Sequence, residues 1–596
     1  MTKVSKLIFD FLLKKNIKHV FGYSGGAILP VLNELNNNTN KLRFIKNSTE
    51  QCSGYVAEGY SKSLNKTQPG IIISTSGPGV TNLITPLQDA YNDGIPLIAI
   101  TGQVPTDAIG TDAFQECDAI ELTRPCTKWN KQVSEDDDIC VILDTAYNIS
   151  MSARKGPVHI DIPKNIMNNI IEEEYLDNYY IFGESYEKIN NINNPFNLKN
   201  HLYTILSKLD KSQKPIIIAG QGCNHLTDEL RHFVNKTKIP ITTTLHGVGC
   251  YDENNKLSLE WLGMHGNPAA NYAVQEADLI IAIGTRFDDR TTGNLRRYAI
   301  NAINGNGIIH IDSSMAQIIK VRKLFSKYYE NTNKFYMSIN TDTKYLLNEL
   351  NQNSIDPVNI VWLRRIEYLK EQFKYNYDEC ELTLKGPDVI KSLNRYLTKN
   401  DMKKNTLITT GVGNHQMWTS QYIKWEYPNR LITSGSLGTM GVGVPFAIGS
   451  KLANPNETVI CIDGDSSFNM TSNELQTILE NKIDVKIIIL NDNRQQMVYT
   501  WQKLFHNNNI IGTENKNPNY KLLAESYGLD TIICDNKSTV DISIKKIMIN
   551  KNSVIGIFNI EPEMCYPLVP PGKALDNMII DSRDMYKLDN KQNAPN

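Results

Sequence analysis

The chain has 596 residues, 41% hydrophobic and 21% charged, with a formal net charge of -2. That length exceeds one hydrophobic core and calls for three or four domains. The near-neutral balance gives no electrostatic footprint for nucleic acid or an acidic membrane surface, and no apolar run approaches the ~18 residues that span a bilayer.

At the N-terminus Val4, Leu7, Ile8, Phe11 and Leu12 recur on one helical face, so this segment reads as an amphipathic helix inside a domain rather than a signal peptide. β-rich runs then alternate with helix-length segments. The first set is Gly70–Thr75, Pro96–Thr101 and Pro157–Ile162; the second is Pro215–Gly220, Asp278–Gly284 and Gly307–Asp312. The third is Thr406–Gly411, Thr458–Asp463, Val485–Leu490 and Val554–Asn559. Continuous Ile, Val and Leu runs of this kind imply parallel strands buried on both faces. The expected fold class is α/β, with three doubly wound parallel-sheet domains. Polar stretches at about 168–200 and 340–357 read as linkers. They set domains at 1–168, 195–340 and 360–562, with a tail over 563–596. The three blocks look alike enough to raise duplication, without the fixed period of a solenoid. Ten scattered cysteines, with no CxxC pair, point to reduced thiols rather than a disulfide frame or zinc site.

The most informative stretch starts at Thr458: TVICIDGDSSFNMTSNELQTILENKIDVKIIILNDN. Two apolar runs end in Asp465 and Asp492, one strand–helix–strand unit apart. Ligands of parallel α/β sheets bind beyond the carboxyl ends of strands. If the two strands are neighbours, both carboxylates reach one edge, where a hard cation such as Mg²⁺ suits them. Thr471 to Glu474 has the T-x-x-E form of a capping box, so a helix is expected to start there. The same Gly-Asp and Asn-Asp pairs also serve as ordinary turn formers. GQGCN at Gly220–Asn224 is followed by His225 rather than a third glycine, so the dinucleotide fingerprint fails and a degenerate Rossmann-like domain is expected.

The Asp465–Asp492 segment resembles the GDG…NN signature of thiamine diphosphate enzymes, with Ser466 and Asp492 as departures from it. NSTEQCSGYVAEGYSKS around Glu50, followed by TSGPGVTN, is similar to the segment that supplies their ring-binding glutamate. VFGYSGGAILPV, IGTDAFQE, RPCTKWN, LGMHGNPAANYAV, GTRFDDRTTG, GVGNHQMW and TSGSLGTMGVGVPFAIG narrow the match. In order, and over nearly the whole chain, they look like catalytic subunits of the acetolactate synthase family.

The resemblance implies a carboligase transferase with thiamine diphosphate, Mg²⁺ and FAD as cofactors. It would decarboxylate pyruvate and join the two-carbon unit to pyruvate or 2-oxobutanoate, in branched-chain amino acid synthesis. Glu50 would act on the aminopyrimidine ring; Asp465, Asp492 and the Arg494 carbonyl would hold the metal. Gly413, Asn414, His415, Gln416, Gly464, Ser466 and Ser467 would contact the diphosphate side, and Met440 would wedge between the cofactor rings. Gly26, Phe114, Gln115 and Lys164 would line the active site, with Met497 and Trp501 over the substrate pocket. Arg154, His265, Gly266, Gly284, Arg286 and Asp312 match FAD contacts. A homodimer or higher homo-oligomer is implied, with a small regulatory subunit as a further partner in the family, and no nucleic acid or membrane. The chain begins without a recognisable leader, which fits the cytoplasm; its Asn, Ile and Lys bias fits a plastid-encoded protein of the stroma equally well. The competing readings are another thiamine diphosphate-dependent 2-oxo acid decarboxylase or oxidase, and a non-catalytic cofactor-binding relative.

Overall fold

The computed structural model describes residues 2–171 and 195–583. Most of the first expected linker and the last part of the tail lie outside them. The chain opens with the helix Val4–Lys14, whose expected apolar face is buried. Thr2–Lys3 pairs antiparallel with Ile170–Ile171 and clips the two ends of the first unit together.

Eighteen further strands form three six-stranded sheets, all of them parallel. The central strands are the apolar runs read from the sequence: Gly70–Ser74, Leu97–Gln103, Pro215–Ala219 and Leu279–Ile283 are buried at every residue. Helices cover both faces of each sheet, so a continuous Ile/Val run is what such a strand requires.

Strand order separates the units. In space the first sheet runs Arg43–Lys46, His19–Gly22, Gly70–Ser74, Leu97–Gln103, Pro157–Pro163, Trp129–Gln132. The third runs Leu431–Ile432, Thr406–Thr410, Thr458–Gly464, Lys486–Asn491, Val554–Asn559, Asp530–Cys534. Numbered by position in the chain, both have the order 2-1-3-4-6-5. The middle sheet runs Ser258–Trp261, Ile241–Thr243, Pro215–Ala219, Leu279–Ile283, Gly307–Asp312, Tyr336–Asn340, which is 3-2-1-4-5-6, the Rossmann order. The first and third units are thus topological copies, and the middle one is not.

The first and third units share a core. Helix Glu50–Ser63 lies against helix Gly443–Ala453, and Tyr55, Val56 and Tyr60 pack with Phe446, Ala447 and Ile448. Glycines set the distance: a Cβ on Gly59 would lie 2.5 Å from Phe446 Cα, and one on Gly449 would lie 2.0 Å from the Val56 carbonyl oxygen.

Two local expectations are corrected. The stretch 340–357 is no mere linker: Thr343–Gln352 is a helix, capped by Asp342 and burying Leu346, Leu347 and Leu350 on the middle unit. Helix Ile360–Gln372 also packs on the middle sheet's core through Trp362, Ile366 and Leu369. There is no capping box at Thr471. The helix after the strand begins at Asp465, a 3-10 turn spans Ser472–Glu474, and the Thr471 hydroxyl donates to the Gly441 carbonyl oxygen. The tail returns over the middle unit, where Val569, Leu575 and Met578 are buried.

Candidate functional site

In the third sheet the order reverses between Thr406–Thr410 and Thr458–Gly464, and the crevice at such a reversal is where ligands bind. A cleft opens there. Gly413, Asn414, His415, Met440, Gly464, Asp465, Ser466, Ser467, Asp492, Arg494 and Met497, all expected from the sequence, line it. A Cβ on Gly464 would stand 2.8 Å from His415 Nδ1, so a side chain there would displace the imidazole.

Strands Thr458–Gly464 and Lys486–Asn491 are paired neighbours, so Asp465 and Asp492 do arrive at one edge. They are 1% and 9% exposed. Burial, and then the charge of Asp465, push the Asp492 carboxyl up to about 8; burial also raises Asp465. Two buried like charges repel, and a divalent cation between them reverses that penalty. Asp465 Oδ2 accepts hydrogen bonds from Asn517 and Asn515, and Asp492 Oδ1 accepts from the Arg494 amide at 3.2 Å. Asn414 Oδ1 and Gln496 Oε1 are buried in the cleft wall without hydrogen-bond partners. Paired carboxylates, unsatisfied polar atoms and a glycine-lined floor fit a metal-bound anionic cofactor.

Other expected residues stand elsewhere. Gln416 turns away from the cleft and donates to Thr433 Oγ1 and the Ser434 carbonyl oxygen. Trp501 sits one turn beyond Met497 on helix Gln496–Phe505, edge-on to Phe505 at 5.3 Å. Glu50, Gly26, Phe114, Gln115 and Lys164 follow strands of the first sheet and gather at its carboxyl edge. Glu50 opens the helix capped by Thr49 and accepts from Asn82 Nδ2 at 3.0 Å. Gln115 adopts a left-handed φ of 63° against Gly77, Phe114 is 88% exposed, and Lys164 directly follows Pro157–Pro163. No residue of this unit lines the third-sheet cleft. The two groups of expected residues therefore stand apart in one chain.

The middle sheet reverses its order between Pro215–Ala219 and Leu279–Ile283. Gly220 and Gly222 meet Gly284 so closely that a Cβ on Gly220 would lie 2.1 Å from the Gly284 oxygen. Arg154 and Arg286 both donate to the Asn92 carbonyl oxygen, and burial pushes the Asp312 carboxyl up to about 6. His265, also buried, bonds the Pro567 oxygen through Nδ1. Two guanidinium groups beside these loops suit a diphosphate.

Sequence reasoning missed three carboxylates. Asp463, fully buried, stands 3.2 Å from His415 Nε2 and would collide with a side chain on Gly411 or Gly443. Glu474, the supposed capping residue, accepts from Asn47 Nδ2 and the Ser48 amide of the first unit, three and two residues before Glu50. Asp89 accepts from Ser434 on the approach to Met440. Asp463 was open to notice as a second acid in IDGD; the other two are defined by distant partners.

Three family models match the chain in order. The thiamine pyrophosphate enzyme N-terminal TPP binding domain covers residues 2–122, the central domain 202–328 and the C-terminal TPP binding domain 411–557. The mitochondrial acetolactate synthase of Schizosaccharomyces pombe is 39% identical over 96% of this chain and 86% of its own length. The mitochondrial acetolactate synthase catalytic subunit of Saccharomyces cerevisiae is 37% identical over 96% of this chain and 82% of its own. The acetolactate synthase large subunit of Lactococcus lactis is 36% identical over 97% and 96%. With all three domains in order, and more than a third of its residues shared along nearly its whole length, the chain belongs to the acetolactate synthase family of thiamine pyrophosphate enzymes.

Proposed function

We propose that this chain is a catalytic subunit that decarboxylates pyruvate and ligates the two-carbon unit to a second pyruvate or to 2-oxobutanoate. The observation that carries it is the pair Asp465 and Asp492 at adjacent strand ends, facing one cleft with Met440 and Met497. Near full-length likeness to acetolactate synthases supports the substrate class.

Thiamine diphosphate, when bound, supplies the carbanion chemistry that removes CO₂ and forms the new carbon–carbon bond. Asp465, Asp492 and the Arg494 carbonyl would hold Mg²⁺, and Gly413 to His415 with Gly464 to Ser467 would receive the diphosphate. Gln416 acts at one remove, by fixing the Thr433–Ser434 backbone. Glu50 would hydrogen-bond a nitrogen of the aminopyrimidine ring and so favour its imino tautomer. Gly26, Phe114, Gln115 and Lys164 line the substrate side, and Met497 and Trp501 bound the acceptor pocket. Because Glu50 and the cleft stand apart on one chain, two chains complete each site, and a homodimer is the smallest active unit. On the middle unit, Arg154, His265, Gly266, Gly284, Arg286 and Asp312 would hold FAD.

The test is direct. Purified protein with thiamine diphosphate, Mg²⁺, FAD and pyruvate is expected to give predominantly acetolactate. Acetaldehyde or acetate as the main product refutes carboligation.

A further inference from the structure

The loop that carries Met440 is soft by composition. Gly435, Gly438 and Gly441 interrupt it, and Gly438 and Gly441 take left-handed φ values of 76° and 81°. Its far end is tied within its own unit: the Gly441 amide donates to Ser467 Oγ at 2.8 Å, and its oxygen accepts from Thr471 at 2.7 Å. Its near end is held from the first unit. Lys62 Nζ donates to the Thr433 oxygen at 2.7 Å, Asp89 Oδ1 accepts from Ser434 Oγ at 2.8 Å, and Asp93 Oδ2 accepts from the Gly435 amide at 3.3 Å. All three side chains are buried.

Ser434 is the relay. Its Oγ accepts from the amides of Gly438 at 3.2 Å and Thr439 at 3.0 Å. A hydroxyl has one proton and two lone pairs. With both lone pairs engaged, the proton goes to Asp89, so Asp89 fixes how the hydroxyl faces the two amides directly before Met440.

The surrounding charges keep this arrangement in place. Oxygens of Glu58, Asp89 and Asp93 lie within 4.8 Å of one another, yet their cation is already present. Lys62 Nζ stands 2.8 Å from Glu58 and 3.0 Å from Asp93. Burial raises Glu58, while for Asp93 Lys62 and then His246 outweigh burial and hold it low. His246, from the middle unit, is 3.2 Å from Asp93 and occupies the space a side chain on Gly435 would need. All three units therefore meet at the root of the Met440 loop.

We infer that Asp89, supported by Lys62 and Asp93, is a positioning residue that sets the Met440 loop through Ser434. What the positioning serves rests on the synthase reading; the anchoring itself is read without turnover. The experiment compares full-length wild type with Asp89→Ala, Asp89→Asn and Ser434→Ala by hydrogen exchange at the Gly438 and Thr439 amides and by steady-state kinetics with pyruvate. Loss of the relay is expected to speed exchange about fivefold or more in Asp89→Ala and Ser434→Ala. Asp89→Asn still presents a carbonyl oxygen to the hydroxyl proton and is expected to stay within about twofold of wild type. In the same two variants kcat is expected to fall about tenfold, with KM for pyruvate little changed. Should Asp89→Ala fail to fold, Ser434→Ala, which removes the relay but no buried charge, carries the same comparison. Unchanged exchange in Ser434→Ala, or an Asn variant as impaired as the Ala variant, overturns the inference. Wild type that makes no acetolactate while its exchange pattern holds overturns the synthase reading and leaves the anchoring intact.

Discussion

Gly449→Ala tests the join between the first and third units. On an isolated helix this change stabilises by about 1 kcal/mol, since alanine has the higher propensity. Here the added methyl would lie 2.0 Å from the Val56 oxygen and 2.6 Å from the Tyr60 amide nitrogen, both backbone atoms of the facing helix. Ordinary contact begins at 3.4 Å, so the helices must part by 3.4 − 2.0 = 1.4 Å. No side chain can rotate away, and parting opens voids among Tyr55, Val56, Tyr60, Phe446 and Ile448. Overpacking costs about 1–3 kcal/mol, and a backbone collision belongs at the upper end. The net expectation is about 2 kcal/mol of destabilisation. At ~2–4 °C per kcal/mol for a unit of this size, that lowers the midpoint by ~4–8 °C. Thermal unfolding followed by circular dichroism measures it, as an apparent midpoint because several units need not melt together. A midpoint equal to or above wild type would mean that the propensity gain wins, and the close helix contact would be wrong.

Glu253→Gln gives a pH-dependent result. Burial pushes the Glu253 carboxyl up to about 7 from 4.5, with Lys424 opposing, while its Oε2 accepts from the Trp425 amide. An acid raised on folding binds more protons in the native state, so its stability contribution is present below pH ~4.5 and is lost as pH rises through about 7. The Gln variant keeps an acceptor for Trp425 and is expected to be more stable than wild type at pH 8, by at most about 3.4 kcal/mol, and to match it near pH 5; equal midpoints at both values refute the assignment. Glu50→Gln is expected to leave thiamine diphosphate affinity within about threefold and to cut kcat by ~100-fold or more, so unaltered turnover in steady-state assays removes Glu50 from the mechanism. Trp501→Leu is expected to lower the preference for 2-oxobutanoate over pyruvate by ~10-fold or more, the worth of one methylene contact; a competition assay with an unchanged product ratio dismisses that role.

What the sequence made legible follows from how each element is buried. Central strands such as Gly70–Ser74 and Leu279–Ile283 are covered on both faces, so nearly every position is apolar and the run stands out. Strands overlooked at the sheet edges, Arg43–Lys46, Trp129–Gln132 and Asp530–Cys534, are partly open to solvent and carry mixed residues. The helix Thr343–Gln352 had its signals in Asp342, Leu346, Leu347 and Leu350, but its asparagine content favoured a linker.

The site divides in the same way, by sequence distance. Asp465 and Asp492 were readable as a pair because a parallel strand–helix–strand unit brings both strand ends to one edge, whatever lies between them. Glu50 offered no such spacing and was placed by family likeness alone. Glu474 and Asp89 were hidden for a different reason. Each is an acid whose local setting already supplies an ordinary account, a capping residue in one case and a helix face in the other. Their partners, Asn47 with Ser48 and Ser434, lie 427, 426 and 345 positions away. Both span the first and third units, and each holds the backbone just before a candidate active-site residue, Glu50 or Met440. Residues that set the geometry between units therefore look least like site residues in the chain, because the contact that defines them exists only after the units have docked.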